Sequence, residues 1–216
     1  MDIAFDIETI PNAAMADRLP PVEIKAGNLK DPAKIAEKEA AARAEQVEKM
    51  ALSPLYGRVC AWVAIDDGGP IYNGCIAESS DEAETVIIEK AFETLSGKRI
   101  ITYNGNGFDL PFIYRRAVLL GVDPRQYGMP TLAALTARYN NTIHVDLMQV
   151  WCGFGSFEKL DNIARALLDD HKIEIDFREF ENLIQTAQGR ETLLAYCAQD
   201  VMLTKKLWSR IAGILV

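Results

Sequence analysis

The first twelve residues, MDIAFDIETIPN, have the alternating pattern of a β-strand. The apolar residues Ile3, Phe5 and Ile7 occupy every second position. Successive side chains of a strand point to opposite faces of a sheet, so these three residues predict one well-buried face. Asp6 and Glu8 then lie side by side on the other face.

Further along the chain, hydrophobic runs bounded by turn residues predict four more strands, at 57–65, 71–77, 99–103 and 142–147. Apolar residues at helical spacing predict helices at 81–96, 108–120, 158–168, 177–188 and 190–214, with Gly189 ending the fourth of them. Three strands come first, and later strands alternate with helices. This order predicts an α/β fold with a mixed sheet of about five strands flanked by helices.

Residues 13–56 interrupt this order as an inserted helical arm. Prolines and Gly27 make 11–31 irregular, whereas 32–52 is rich in Ala, Glu, Lys and Arg, which favour helix. Apolar residues are sparse in this helix, so we expect it to be exposed. A solvated helix lying on the domain is favoured first, a contact for a protein partner or a second copy next, and a nucleic-acid clamp last.

The 216 residues suffice for a single domain with this insertion, and 49% hydrophobic and 25% charged residues are ordinary for a soluble protein. Four scattered cysteines without a C-x-x-C pair favour reduced thiols over disulfides or a zinc site. No apolar run can span a membrane and no signal peptide is evident, so we expect a cytoplasmic protein. The net charge of −8 argues against a broad basic surface for nucleic acid, although bound cations would reverse the sign locally.

Asp6 and Glu8 form a D-x-E pair in which the carboxylates repel each other and an apolar interior disfavours both charges. A hard divalent cation such as Mg²⁺ or Mn²⁺ would resolve this conflict, because such ions prefer carboxylate oxygens. The alternative is a solvent-facing pair near the start of an edge strand. A D-x-E pair alone does not decide between the two.

Two later segments add carboxylates. The segment NGNGFD places Asp109 in the first turn of a helix, after glycines that allow a ligand to approach closely. The alternative is a simple turn with a capping aspartate. The segment YCAQD places Tyr196 and Asp200 one turn apart on a helix face that is otherwise apolar. Asp200 is therefore expected to point inward, where a metal would be its partner, and the alternative is a Tyr–Asp hydrogen bond on a half-exposed helix.

Together, D-x-E in the first strand, N-x-x-x-F-D at a strand-to-helix junction and Y-x-x-x-D in the last helix resemble the DEDD exonucleases of the ribonuclease-H-like fold. The tyrosine four residues before the last aspartate is typical of the DEDDy branch. The strings NGxxFDxP and YCxxDV are most similar to predicted 3′–5′ exonucleases related to the proofreading domain of family B DNA polymerases. The resemblance spans 1–12, 57–120 and 140–210 and leaves the arm outside it.

This resemblance implies a metal-dependent 3′–5′ exonuclease that releases nucleoside 5′-monophosphates from the ends of single strands. It implies that four carboxylates bind two divalent ions, Mg²⁺ or Mn²⁺, and that a tyrosine orients the attacking water. These residues are Asp6, Glu8, Asp109, Asp200 and Tyr196. Three further residues are assigned contacts with the terminal nucleotide, namely Thr9, Asn104 and Phe108.

Other polar residues receive structural interpretations first. Asp146 follows a strand near the expected cleft, and His144 is expected to be a packed or surface histidine. Lys172 and the Arg115–Arg116 pair could meet phosphates, with a solvated surface role as the alternative.

The substrate prediction rests on the resemblance, because no residue can be identified with recognition of a 2′-hydroxyl. Single-stranded DNA is thus favoured over RNA as the partner. The alternatives are an exoribonuclease and a non-catalytic nuclease-like module that binds a protein partner, or itself, through the helix at 32–52.

Overall fold

The computed structural model describes residues 1–23 and 31–216. Within these ranges, five strands form one mixed sheet in the order β3-β2-β1-β4-β5. The strands are β1 (Asp2–Pro11), β2 (Gly57–Asp66), β3 (Ile71–Cys75), β4 (Arg99–Thr102) and β5 (His144–Asp146). The pairs β1–β2 and β2–β3 are antiparallel, whereas β1, β4 and β5 run parallel. The predicted α/β fold is confirmed.

Helices connect and cover the strands. In the described part of the chain they are α1 (Pro32–Glu48), α2 (Asp81–Leu95), α3 (Asp109–Leu120), α4 (Leu132–Leu135), α5 (Leu147–Cys152), α6 (Leu160–Leu168), α7 (Phe180–Leu183) and α8 (Ala187–Leu215). Short 3-10 turns occupy Ala13–Arg18, Lys49–Leu52, Pro124–Tyr127 and Phe177–Glu179. None of the described helices is long and apolar enough to cross a membrane.

β1 lies at the centre of the sheet, and both of its faces are covered. The residues predicted to be buried, Ile3, Phe5 and Ile7, pack with α2 and α3 in the main hydrophobic core. On the opposite face Ala4 packs with Val201 of α8. Because β1 pairs with a strand on each side, the edge-strand alternative for the D-x-E pair is excluded.

Helix α1 of the arm is exposed, as predicted, whereas the end of the predicted helix is not, because Met50 and Ala51 are buried in the 3-10 turn Lys49–Leu52. α1 contains no buried residue. It is held by Arg43, which donates to the Ala16 carbonyl at 2.7 Å, and by an ion pair of 3.0 Å between Glu48 and Arg178. Part of the predicted irregular segment, 24–30, lies outside the described residues. The two described contacts join α1 to the 3-10 turn Ala13–Arg18 and to the 3-10 turn Phe177–Glu179.

The prediction that Gly189 ends a helix is wrong. Residues 177–183 form a 3-10 turn and the short α7, and α8 starts at Ala187 with Gly189 in its first turn. The Thr186 hydroxyl accepts the Gly189 N–H at 3.0 Å, as an N-cap does. A Cβ at position 189 would lie 2.2 Å from the Leu183 carbonyl oxygen. Glycine at this position allows the start of α8 to approach the preceding chain closely.

The interpretation of Arg116 as a phosphate contact or a solvated residue is also wrong. Arg116 is buried, and its guanidinium donates to both carboxylate oxygens of Glu84, at 2.8 and 2.6 Å. Arg58 donates to the same carboxylate at 3.1 Å. Glu84 is fully buried and requires such cationic partners. Arg115, by contrast, is exposed.

Candidate metal-binding active site

The D-x-E pair lies on the face of β1 that is covered by α8. The thiol of Cys197, on α8, lies 3.7 Å from the Asp6 carbonyl oxygen and 3.8 Å from its Oδ2 atom. One oxygen of Asp6, one oxygen of Glu8 and the Sγ atom of Cys197 all lie within 4.8 Å of one another. The two carboxylates are thus held between the sheet and the last helix.

Asp109 reaches the same place through a loop that is itself anchored. Asn104, after β4, has a left-handed backbone with a φ of 67°. The Asp146 carboxylate accepts the N–H groups of Asn104 and Asn106, both at 2.9 Å, and also caps α5. A Cβ at Gly105 would lie 2.1 Å from the Thr102 hydroxyl, so glycine is required there.

The loop delivers Asp109 to the start of α3, beside β1. Its Oδ1 atom accepts the backbone N–H of Ile7 at 3.2 Å. Ile7 stands between Asp6 and Glu8 in the sequence, so this hydrogen bond sets the third carboxylate against the strand segment that carries the other two. The first-turn position predicted for Asp109 is confirmed.

α8 supplies Asp200 and Tyr196. Asp200 is 6% exposed, which confirms that it points inward. Its Oδ2 atom pairs with the Lys172 ammonium. Its Oδ1 atom is buried without a hydrogen-bond partner among the described residues. The Tyr196 ring packs on Phe180 at 5.7 Å between centroids, and the Lys172 ammonium lies 5.6 Å from the centre of the Tyr196 ring.

Burial and mutual repulsion disfavour the charges of this cluster. The pKa of Asp6 lies well above its ordinary value, first because of burial and then because of Asp109 and Glu8. Burial, followed by the charge of Asp200, raises the pKa of Glu8 in the same way. Burial also raises the pKa of Asp109 to about 7.

Lys172 offsets part of this repulsion at one edge of the cluster. Burial raises the pKa of Asp200, and the Lys172 charge opposes that rise. Burial alone would lower the pKa of Lys172, but Asp200 outweighs it and the pKa lies above its ordinary value. Burial, then the charge of Glu8, raises the pKa of Tyr196 to about 12. Tyr196 is therefore a neutral phenol at neutral pH, and Lys172 is charged.

The donor set fits a hard divalent cation. The charges of Asp6, Glu8, Asp109 and Asp200 act on one another in a largely buried site that also contains the Lys172 ammonium, and Oδ1 of Asp200 is buried without a hydrogen-bond partner among the described residues. Such oxygens are the ligands that Mg²⁺ and Mn²⁺ prefer.

Thr9 and Phe108 are the chain neighbours of Glu8 and Asp109, and each has contacts of its own. Phe108 is half-buried and packs against Phe112 with tilted rings, at 5.3 Å between centroids. Thr9 is 8% exposed and donates its hydroxyl to the Ala51 carbonyl at 2.7 Å. His144 is packed, with its Nε2 atom 2.8 Å from the Thr102 hydroxyl. The roles of Thr9, Asn104 and Phe108 toward a nucleotide stay predictions.

Two features of the site were not assigned from the sequence. The ion pair of Lys172 with Asp200 joins residues 28 positions apart, and no local pattern reveals it. Cys197 lies next to Tyr196 and three residues before Asp200. Residues three apart lie on the same helix face, so the prediction that Asp200 points inward could also have directed Cys197 into the site.

The strand order and the mixed pairing are those of a ribonuclease-H-like fold. A family model described as a predicted 3′–5′ exonuclease related to the exonuclease domain of PolB matches residues 55–214. The chain belongs to this family. The matched range contains Asp109, Tyr196 and Asp200, whereas Asp6 and Glu8 precede it.

Relatives of the chain include DNA polymerases. It is 33% identical to DNA polymerase 1 of Saccharolobus solfataricus over 100 residues, which cover 40% of this chain and 11% of that polymerase. It is 29% identical to DNA polymerase 1 of Aeropyrum pernix over 150 residues, which cover 64% of this chain and 15% of the polymerase. The chain therefore spans only a small part of the length of these relatives.

A solved structure shows the same fold. The family B DNA polymerase of Pyrobaculum calidifontis matches with a TM-score of 0.65 and 20% identity, over 98% of this chain and 24% of the polymerase chain. The match extends over nearly the whole chain, including the range that precedes the family model.

Proposed function

We propose that the protein is a divalent-metal-dependent 3′–5′ exonuclease that releases nucleoside 5′-monophosphates from single-stranded nucleic acid. The observation that carries this proposal is the meeting of four carboxylates and a tyrosine, which come from β1, from the start of α3 and from α8. Each residue of this set has a local structural reason for its position. Membership in a family of predicted 3′–5′ exonucleases supports the same reaction.

Asp6, Glu8, Asp109 and Asp200 would hold two divalent ions, Mg²⁺ or Mn²⁺. When bound, such ions polarise a phosphodiester and make a water molecule a better nucleophile at neutral pH. The unpartnered oxygen of Asp200 and the raised pKa values of the other three carboxyl groups support this assignment.

Tyr196 and Lys172 act on the substrate side of the carboxylates. Because the pKa of Tyr196 is raised to about 12, its hydroxyl keeps its proton and orients the attacking water by hydrogen bonding. Lys172 lines an open cleft beside Tyr196, together with Lys159. Its ammonium, half-buried and always charged, is placed to meet a phosphate oxygen of the strand that enters this cleft.

DNA is the favoured substrate. The relatives are named DNA polymerases, and this is the support for DNA over RNA. Asn104, Phe108 and Thr9 would position the terminal nucleotide, Phe108 by apolar or stacking contact. A protein partner, or self-association through the exposed α1, is a separate proposal, which gel filtration with and without 32–52 would test.

The proposal is tested with Asp6→Ala and Asp200→Ala. Each variant should lower exonuclease activity by at least about 10³-fold, because each removes a ligand of ions that supply several kcal/mol of transition-state stabilisation. Asp123→Ala is the matched control, because this aspartate pairs with Arg125 on the surface.

Circular dichroism should give folded spectra for all three variants. Retained cleavage by both active-site variants would contradict the assignment. Equal loss in Asp123→Ala would show that the assay reports folding and not chemistry.

A further inference from the structure

Cys197 is an unusual neighbour for a cluster of carboxylates. Its side chain is completely buried under the D-x-E pair and faces Asp6, with the Sγ atom 3.8 Å from Oδ2. Asp6 and Glu8 are only partly buried, so an ion that enters from the cleft meets their oxygens first. The thiol forms the floor of the same site.

The distances between these donors suit a tetrahedral ion. Zinc–oxygen bonds of about 2.0–2.2 Å and a zinc–sulfur bond of about 2.3 Å, at a tetrahedral angle, separate oxygen and sulfur by about 3.5–3.7 Å. The Oδ2–Sγ separation in this site is 3.8 Å, and the donor atoms of Asp6, Glu8 and Cys197 lie within 4.8 Å of one another. Side-chain shifts of about an ångström would bring all three onto one ion.

A fourth donor is available next to them. Asp200 lies one helical turn from Cys197, is 6% exposed, and carries the Oδ1 atom that has no hydrogen-bond partner in the described chain. Asp200 lies outside the group of donor atoms that are within 4.8 Å of one another, and a turn of its side chain toward the ion would complete a tetrahedral set of three carboxylate oxygens and one thiolate for Zn²⁺.

We propose that Asp6, Glu8 and Cys197, with Asp200, form a binding site for thiophilic divalent cations such as Zn²⁺, and that such an ion inhibits the enzyme. Binding forms a metal–sulfur bond and releases the thiol proton to solvent, without oxidation or reduction. Hard Mg²⁺ gains nothing from the sulfur, whereas Zn²⁺ gains a strong bond and exceeds Mn²⁺ in general affinity. The inhibition rests on the proposed exonuclease function, but the binding does not.

A lack of cysteine pairs disfavours only zinc sites that are built from several cysteines. The sequence contains no C-x-x-C pair, and none of the described cysteines forms a disulfide. The site proposed here needs a single cysteine, because the fold brings carboxylates from β1 to it.

The test uses Co²⁺ as a spectroscopic probe of the metal-free full-length protein. Thiolate ligation gives Co²⁺ an intense charge-transfer band in the near ultraviolet, whereas oxygen ligation does not. The wild type and Cys152→Ser should show this band, because Cys152 lies at the end of α5 outside the cluster. Cys197→Ser should lack it, and Cys197→Ala provides a second variant if the serine protein does not fold.

Calorimetry and activity complete the test. Zn²⁺ affinity should fall by about 10- to 100-fold or more in Cys197→Ser, which is at least the loss expected when a supporting partner is removed. Mg²⁺ affinity should not change. In the Mg²⁺-dependent nuclease assay, the Zn²⁺ concentration that halves the rate should rise by the same factor.

Absence of the band in the wild type, or its persistence in Cys197→Ser, would overturn the proposal. These readouts require no nuclease activity, so failure of the exonuclease assignment would be recognised separately.

Discussion

At the residue scale, the site combines carboxylates, which carry charge, with backbone groups that fix the positions of those carboxylates. Asp6 and Glu8 lie side by side on one face of β1. Asp109 accepts a hydrogen bond from the N–H of Ile7, which stands between them in the sequence. These carboxylates are unfavourable to the metal-free protein, as their raised pKa values indicate. Such a site trades stability for function.

The Tyr196 hydroxyl can be separated from its ring by substitution. Tyr196→Phe should lower kcat by about 10²-fold, since one positioned hydrogen-bonding group is lost, while the ring keeps its packing on Phe180. Tyr114→Phe is the matched control. It removes a hydrogen bond of 2.7 Å to the Pro130 carbonyl and should cost about 1 kcal/mol of stability without lowering kcat.

Steady-state kinetics and thermal melting of the two variants check this prediction. If Tyr196→Phe retains wild-type kcat, the tyrosine has no part in the chemistry.

Asp109 should make the metal-free protein less stable as the pH rises. Its folded pKa of about 7 lies above the ordinary value of 3.8. A carboxyl group with a raised pKa contributes stability that is fully present below pH 3.8 and is lost as the pH rises through 7. Asp109→Asn keeps the acceptor for the Ile7 N–H and removes the charge.

In EDTA at pH 8, Asp109→Asn should therefore be more stable than the wild type by about 1–2 kcal/mol, or about 2–8 °C in Tm. Thermal melting from pH 5 to pH 8 measures this difference. A variant that is less stable than the wild type at pH 8 would show that the Asp109 charge is already compensated.

The sequence could predict the four carboxylates because each lies in a local strand or helix pattern. The repeat of that strand or helix sets the direction in which the side chain points. The ion pair of Lys172 with Asp200 could not be predicted, for the opposite reason. The Lys172 ion pair depends on how the segment between α6 and α7 folds back onto α8, and this segment has no regular pattern.

At the element scale, the loop between β4 and α3 depends on a residue outside it. Asp146, at the end of β5, accepts the N–H groups of Asn104 and Asn106 and also caps α5. One carboxylate thus joins the parallel strand pair β4–β5 to the loop that delivers Asp109. The structural role assigned to Asp146 from the sequence is confirmed.

Asp146→Ala should lower the stability by about 2–4 kcal/mol, because several N–H groups lose a charged acceptor. It should also lower the nuclease rate, because the loop that carries Asp109 is released. Asp123→Ala is the control, since Asp123 also caps a turn, through the Arg125 N–H at 3.0 Å, but lies at the surface.

The control should cost about 0.5–1 kcal/mol and leave the rate unchanged. Denaturant unfolding and initial rates provide the two measurements. A rate loss in the control as large as in Asp146→Ala would remove the link between this loop and catalysis.

Helix boundaries show where sequence patterns are least reliable. The strands were predicted close to their observed bounds, because alternation and turn residues bracket them. The sequence predicts a helix end at Gly189, since glycine favours that position. The close approach of the Leu183 carbonyl explains why position 189 is a glycine, and this contact exists only in the folded chain.

At the scale of the whole molecule, an acidic protein must bind a polyanion through a few local cations. The net charge is −8, and the cleft beside Tyr196 carries Lys159 and Lys172 together with three acidic residues, Asp161, Glu174 and Asp176. For single strands, the logarithm of the affinity falls with the logarithm of the salt concentration by about 0.7 for each phosphate neutralised. Two contacts therefore predict a slope of about −1.4.

Lys172→Gln should reduce this slope to about −0.7, whereas Lys90→Gln, on the exposed side of α2, should leave it unchanged. Fluorescence anisotropy with labelled single-stranded DNA, in the cleavage-deficient Asp6→Ala background, measures the slope. An affinity that is independent of salt would contradict binding through these lysines.

Cleavage of a labelled strand distinguishes an exonuclease from a nuclease-like binding module. A 5′-labelled single-stranded DNA and its RNA equivalent are incubated with the protein in Mn²⁺, in Mg²⁺ and in EDTA. We expect a ladder that shortens from the 3′ end of the DNA in the presence of either metal and is absent in EDTA. No shortening of either strand, with metal binding confirmed by calorimetry, would contradict the exonuclease assignment and favour a nuclease-like binding module.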